Sequence, residues 1–278
     1  MNDKKLIYDV GMNNGDDTAY YLHKGFRVLA IEADPVLCAA AEERFADEVA
    51  SGDLCILNEG VADSTGTADF WVNEEKSVWS SFDKEAAGRR GHELTRVDVP
   101  TRPFANILEE LGTPYYLKID IEGNDQLCLD ALDEKNCPEY ISVECNKLDF
   151  VHQLYDVGYR KFKMIDQQTF CPLSQPLLIR HRWHHFLNDR LRNFSIPSRI
   201  MIKLASRTRV DQWVHDLRSQ DGWHFNEGCS GPFAEDTYGS WQSKEIVSAN
   251  FDHFTEYLAR RADNPYQYWF DLHATGAE

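Results

Sequence analysis

Over the first 175 positions, short apolar and β-branched runs alternate with stretches of helical character. The runs predict strands at residues 6–10, 27–32, 54–58, 115–120, 140–145 and 161–166. Between them, residues 16–24 and 35–50 are predicted to be helical. The second helix opens on Asp34-Pro35, a capping side chain followed by proline at a first helical position, where a missing N–H costs nothing. Such alternation predicts a parallel sheet covered by helices and joined by right-handed crossovers. One stretch breaks the rhythm. Between residues 61 and 99, Asp63-Ser64-Thr65-Gly66 forms a turn ahead of the run 67–72, which predicts an antiparallel excursion in place of a helix.

From about residue 168 to 264 the alternation stops. The composition shifts to Arg, His, Trp and Phe, with turn-rich stretches such as Glu227-Gly228-Cys229-Ser230-Gly231-Pro232. An aromatic strand is then predicted at 266–273. The expected organisation is one α/β domain, residues 1–167 and 265–278, with a substrate or lid insertion at 168–264 before the last strand. The loop from Gly228 to Trp241 reads as a lid, with Trp79, Ser80 and Ser81 expected across the substrate mouth from it.

Composition narrows the function. The 278 residues carry a formal net charge of −17, which argues against general nucleic-acid binding, since that rests on neutralising phosphates with cations. A hydrophobic content of 42% excludes a disordered chain, and no apolar run approaches the roughly 20 residues that span a bilayer. Met1 to Lys5 passes at once into a strand, so a cytoplasmic location without a leader is expected. The seven cysteines include no Cys-x-x-Cys pair and read as buried free thiols. The overall charge also hides an asymmetry. Residues 180–210 hold eight cations against the single acid Asp189, together with His181, His184 and His185. That segment suits an anion-binding lid or a docking surface, against the plainer reading of a solvated face. His181 and His185 have the spacing of a metal pair, but no third ligand completes it.

The sharpest chemical signal is Asp9-Val10-Gly11-Met12-Asn13-Asn14-Gly15-Asp16-Asp17-Thr18, between the first strand and the first helix. Gly11 and Gly15 allow a tight turn and close approach of a ligand to the backbone. In open α/β sheets, this crevice is where ligands sit. A dinucleotide fingerprint would need further glycines, yet position 13 is Asn and the helix begins with two acids. Asp16 and Asp17 repel a pyrophosphate but tolerate a cationic amine, which favours S-adenosylmethionine over NAD. Glu32, ending the second strand, is spaced to accept the two hydroxyls of a ribose.

Asp9 to Gly15, Ile31-Glu32-Ala33-Asp34-Pro35, Leu117-Lys118-Ile119-Asp120-Ile121-Glu122-Gly123 and Ile141-Ser142-Val143-Glu144 occur in this order. Together they resemble the FkbM-type family of S-adenosylmethionine-dependent methyltransferases over roughly residues 6–166. The resemblance implies a class I, Rossmann-like sheet, mostly parallel with its last strand antiparallel, and O-methylation of sugars or natural products. It further implies that Asp9, Gly11, Asn13, Gly15 and Thr18 surround the methionine end of the cofactor. Glu32 would meet the ribose and Val61, Ala62 and Asp63 the adenine. Met12 stands where family members often carry Ala or Ser.

Methyl transfer to an alcohol needs alignment and a group that takes up the hydroxyl proton. Asp120 and Glu122 follow the fourth strand and Glu144 ends the fifth, so all three belong at one sheet edge. In one reading, Asp120 receives the cofactor amine while Glu122 or Glu144 is the base. In another, the three acids, with Asn146, hold a divalent cation such as Mg2+. In the plainest, Lys118 pairs with one acid and another caps a helix. The leading expectation is an O-methyltransferase acting on a small polar or anionic acceptor, such as a sugar or natural product. The alternatives are an NAD-dependent sugar-modifying oxidoreductase and a non-catalytic cofactor-binding module that docks a partner through 180–210.

Overall fold

The first apolar run becomes the central strand of a parallel sheet. In the computed structural model, β1 (Leu6–Val10) pairs in parallel with β2 (Arg27–Ile31) on one side and β7 (Tyr116–Ile119) on the other. Outside these lie β3 (Leu54–Leu57) and β8 (Tyr140–Glu144), both parallel to their neighbours. Ile7, Tyr8, Val10, Leu117, Ile119, Ile141 and Val143 are all buried. Strands covered on both faces leave no room for a polar alternation, which explains their continuous apolar runs.

The structure describes residues 4–145, 147–167, 170–174, 219–226, 228–259 and 269–276. They fall into two compact units, the first comprising Met1–Glu144 and Asp156–Gly158, the second Cys145–Tyr155 and Tyr159–Ala277. The predicted segment 180–210, with its arginines and its three histidines, lies outside the described residues.

In the first unit, α1 (Asp16–His23) buries Tyr20 and Tyr21, and Tyr21 meets Tyr116 edge-on at 5.7 Å. The helix expected over 35–50 is two, α2 (Pro35–Arg44) and α3 (Ala46–Ser51). Asp34 caps the first by accepting the Val36 N–H at 2.8 Å. Phe45 leaves helical geometry between them, at φ −113°, where its ring lies directly under Gly15. The antiparallel excursion takes the form of β4 (Gly60–Val61), β5 (Gly66–Asn73) and β6 (Leu94–Arg102), with β5 and β6 in antiparallel register over eight residue pairs. The short α4 (Lys84–Ala87) lies between β5 and β6, and α5 (Phe104–Leu111) and α6 (Asp125–Asp130) flank β7.

In the second unit, β9 (Lys161–Asp166) runs antiparallel to β12 (Phe270–Thr275), the last strand. Between them, β10 (Ser219–Gln220) and β11 (Trp223–His224) form a small hairpin. Besides α7 (Asp149–Val157), α8 (Lys244–Ala259) places Phe251 and Phe254 edge-on against Phe270 at 5.9 and 5.4 Å. The loop expected as a lid is packed into this unit, with Cys229, Ser230, Phe233 and Thr237 buried. Lys163 reaches it, donating to the Thr237 hydroxyl at 2.8 Å and carbonyl at 3.0 Å. Among the seven free cysteines, Cys55 is exposed on the outer strand β3 and Cys137 is half-buried, so the expectation that all are buried is corrected there. No helix among the described residues is long and apolar enough to cross a membrane.

Candidate functional site

The site is built where β1 ends. Gly11 has φ +85°, and a Cβ there would sit 1.8 Å from the Asp120 carbonyl oxygen. Only glycine allows the turn to lie this close to the end of β7. The Gly11 and Met12 N–H groups donate to the Ile31 carbonyl at 2.9 and 3.2 Å, fastening the turn to β2. Gly15, at φ +78°, then redirects the chain into α1. Arg44 donates to the Asn14 carbonyl at 2.8 Å and to the Asp16 carboxylate at 2.9 Å, partly neutralising the acidic helix start.

Glu32 is buried at the end of β2, and its two carboxylate oxygens are already engaged. One accepts the Asn13 N–H at 2.7 Å and the other the Asp34 N–H at 2.9 Å. Burial pushes its carboxyl upward, an effect the two backbone donors oppose. Each oxygen retains acceptor capacity, so the carboxylate that shapes the turn can also receive ribose hydroxyls.

Asp9 and Thr18 hold the turn from beneath. Both are fully buried, and the Thr18 hydroxyl donates to Asp9 Oδ2 at 2.6 Å. Asp9 Oδ1 lies 3.1 Å from Lys118 Nζ, its cross-strand neighbour on β7. Lys118 also donates to the Gly11 carbonyl at 2.7 Å and stands 3.9 Å from Asp120. Burial works against the charge on Lys118, but Asp9, Asp120 and Asp17 more than offset it and keep the ammonium protonated. One buried cation thus ties the turn to the end of β7.

Three acids stand at the carboxyl edge of β7 and β8. The Asp120 carboxylate is 40% exposed, leaving it open to a cationic amine. Packing pushes its carboxyl upward, with Asp125 and Asp9 adding to the effect and Lys118 opposing it. Since β7 ends at Ile119, strand alternation does not extend to Glu122, which sits in a turn at φ +47°. Both Glu122 oxygens accept from Arg89 Nη2, at 3.0 and 3.1 Å, and its carbonyl accepts from Ser81. Burial raises its carboxyl to about 7 despite Arg89. Glu144, the last residue of β8, follows the register pair Ile119 and Val143, which places it on the strand beside Asp120. No cation pairs with it among the described residues. Burial, then the charges of Asp120, Glu122 and Asp125, raise it to about 8.

Val61 ends β4, buried, with its carbonyl accepting from Asn124 Nδ2 at 3.0 Å, while Ala62 is half-buried and Asp63 exposed. Lys118, Asn124, Ser77 and Arg89 complete the arrangement. Of these, Lys118 lies within the Lys118–Gly123 motif; Arg89 comes from a stretch with no recognisable spacing. Among the described residues, no group of three His, Cys, Asp or Glu side chains converges to hold a metal ion, and Asn146 lies outside those residues.

The methyltransferase FkbM domain model matches residues 9–163, a little over half of the chain. The chain belongs to the FkbM methyltransferase family. It is therefore an S-adenosylmethionine-dependent methyltransferase with a mostly parallel α/β sheet. No curated protein matches it in sequence. Among solved structures, it is similar to the precorrin-6y C5,15-methyltransferase of Geobacter metallireducens GS-15, with a TM-score of 0.33 and 16% identity, covering 60% of this chain and 71% of that one. A phosphoethanolamine N-methyltransferase 2 of Haemonchus contortus, in complex with phosphomonomethylethanolamine and S-adenosylhomocysteine, gives 0.39 and 9%, covering all of this chain and 50% of that one. YjhP of E. coli gives 0.32 and 11%, covering 100% and 88%.

Proposed function

We propose that this FkbM methyltransferase methylates a hydroxyl oxygen of a small polar or anionic acceptor, such as a sugar or natural product, with Glu144 as general base. When bound, S-adenosylmethionine supplies an electrophilic methyl on a sulfonium that leaves as a thioether. In this reading Glu32 receives the ribose, Val61, Ala62 and Asp63 border the adenine, and Asp120 receives the amine. Gly11, Asn13 and Gly15 let the turn backbone approach the methionine end, while Asp9 and Thr18 hold that turn in place. Lys118 fixes the positions of Asp9 and Asp120.

The observation that carries the reading is the contrast between the two remaining acids. Glu122 is held by Arg89, whereas among the described residues no cation pairs with Glu144, which is raised to about 8. A base is most effective when its pKa lies near the working pH, because it is then partly ionised yet still a competent proton acceptor. As the acceptor oxygen forms its bond to the methyl carbon, its proton passes to the Glu144 carboxylate. Glu122, itself raised to about 7, is engaged by Arg89 on both oxygens, and whatever charge it carries helps keep Glu144 basic. Mg2+ is not needed for this step, since an ionisable carboxylate already supplies the proton sink. The insertion 168–264 is assigned to acceptor recognition, and the protein to the cytoplasm.

The test is methyl transfer to a panel of sugars, hydroxylated natural products, hydroxy acids and amines, with the methylated atom located by mass spectrometry and NMR. Calorimetry with S-adenosylhomocysteine and NAD accompanies it. Transfer to oxygen with affinity for S-adenosylhomocysteine alone is expected; transfer only to nitrogen or carbon would refute the reading.

A further inference from the structure

The excursion between β5 and β6 gathers three cations around one ring, although residues 74–93 carry five acids against four Lys and Arg. Three cations approach the Trp79 indole, with Arg89 at 4.5 Å, Lys76 at 4.7 Å and Arg90 at 5.2 Å from its centroid. The His92 ring stacks on the same indole at 5.0 Å. Arg89 is matched by Glu122 and His92 faces Glu75 at 3.7 Å. Among the described residues, Lys76 and Arg90 have no carboxylate partner.

Cation–π attraction explains why each group is drawn to the indole. The backbone around the ring is held by local contacts. Asn73, itself buried, accepts the Lys76 N–H at 2.8 Å and the Glu75 N–H at 3.0 Å, and contacts His92 Nδ1 at 3.2 Å. Arg90 is held at φ +68°, a conformation L-residues seldom adopt. Ser77 donates to Asn13 Oδ1 of the cofactor turn at 3.0 Å, and Ser81 to the Glu122 carbonyl at 3.0 Å. The cluster is therefore fixed between the turn that binds the methyl donor and the acids at the end of β7.

We propose that Lys76, Arg89 and Arg90, gathered on Trp79, form a subsite for an oxyanion carried by the methyl acceptor, a phosphate, sulfate or carboxylate. The proposal rests on the methyltransferase reading of the site and deepens it. Guanidinium and ammonium groups match such oxyanions in charge and in hydrogen-bond donors. Among the described residues, two of the three cations make no ion pair, and an oxyanion would engage them. Held there, the acceptor would lie beside Glu122, with its hydroxyl free to reach the neighbouring acids.

The test uses the full chain loaded with S-adenosylhomocysteine, titrated separately with inorganic phosphate, sulfate and acetate, and with chloride as an ionic-strength control. The readout is the indole N–H resonance of Trp79 in a proton–nitrogen spectrum, assigned through its loss in Trp79→Phe. Saturable movement of that resonance by at least one oxyanion and not by chloride is expected, with affinity reduced about tenfold or more in Lys76→Gln/Arg90→Gln. The single variant Lys76→Gln, on an exposed side chain, should show a smaller loss in the same direction. An unmoved Trp79 resonance, or a double variant that titrates like the wild type, overturns the proposal. Affinity for S-adenosylhomocysteine is measured on the same samples, so failure of the methyltransferase reading appears as loss of that binding in the wild type.

Discussion

Replacing Glu144 with Gln removes the proposed base while keeping its size and one of its acceptor oxygens. With its pKa at about 8, only about a tenth of Glu144 is ionised at pH 7, half at pH 8 and most at pH 9. The wild-type rate should therefore rise about fivefold from pH 7 to 8, and roughly tenfold per unit below pH 7. An unactivated alcohol stays protonated throughout this range, so a neutral or carboxylate acceptor leaves the slope to the enzyme. General bases contribute on the order of a hundredfold or more, so kcat in Glu144→Gln should fall at least about a hundredfold at pH 9 and lose its slope. Stability supplies a second readout. An acid whose folded pKa is raised is ionised in the unfolded chain first, so the wild type loses stability as pH rises from about 4.5 towards about 8. The Gln variant escapes that loss, and its thermal midpoint should depend less on pH in this window. Initial rates from pH 5.5 to 9.5 at saturating substrates, with affinity for S-adenosylhomocysteine as a control, make the measurement. A variant that keeps the wild-type rate and slope would refute Glu144 as the base, even if its stability profile changed as expected.

Two further substitutions test the cofactor side. Glu32→Gln leaves one oxygen to serve both the Asn13 and Asp34 N–H groups; with hydrogen bonds to charged groups contributing about 1.5–3 kcal/mol, affinity for S-adenosylhomocysteine should weaken about tenfold or more by calorimetry. An affinity within twofold of wild type would remove Glu32 from the ribose site. Gly11→Ala places a Cβ 1.8 Å from the Asp120 carbonyl oxygen in a left-handed conformation that alone costs about 1–2 kcal/mol, so both a lower thermal midpoint and loss of cofactor binding are expected; unchanged values for both would mean that the turn is not packed on β7.

The parallel strands, the turn at Gly11 to Gly15 and the acid at position 32 were legible because each depends on spacing within one strand-to-helix step. The orientation of Asp9 was not, because it depends on which residue stands across from it. Register places Lys118 opposite Asp9, so Asp9 faces a buried cation and Thr18 rather than open space. Nor does local sequence reveal the break at Phe45, since helical propensity is continuous from Arg44 to Ala46. A tertiary contact, the ring beneath Gly15, decides it. Arg89 is not legible for a similar reason: it lies 33 residues from Glu122, in an excursion of which the sequence pattern marks only the run 67–72 as a strand.

Three non-glycine residues of the first unit with left-handed backbones, Asn13, Glu122 and Arg90, all belong to this site. Such conformations are costly enough to persist only where surrounding contacts enforce them. Asn13 is held by Glu32 through its N–H and by Ser77 through its side chain, and Glu122 by Ser81 through its carbonyl and by Arg89 through its carboxylate. The segment carrying Ser77, Ser81 and Arg89 therefore braces both the Gly11–Gly15 turn and the turn after β7. This is a physical reason for an antiparallel excursion where a helix would satisfy the sheet equally well. A helix would cover the strands, whereas the excursion reaches their carboxyl ends and braces the turns that carry Asn13 and Glu122.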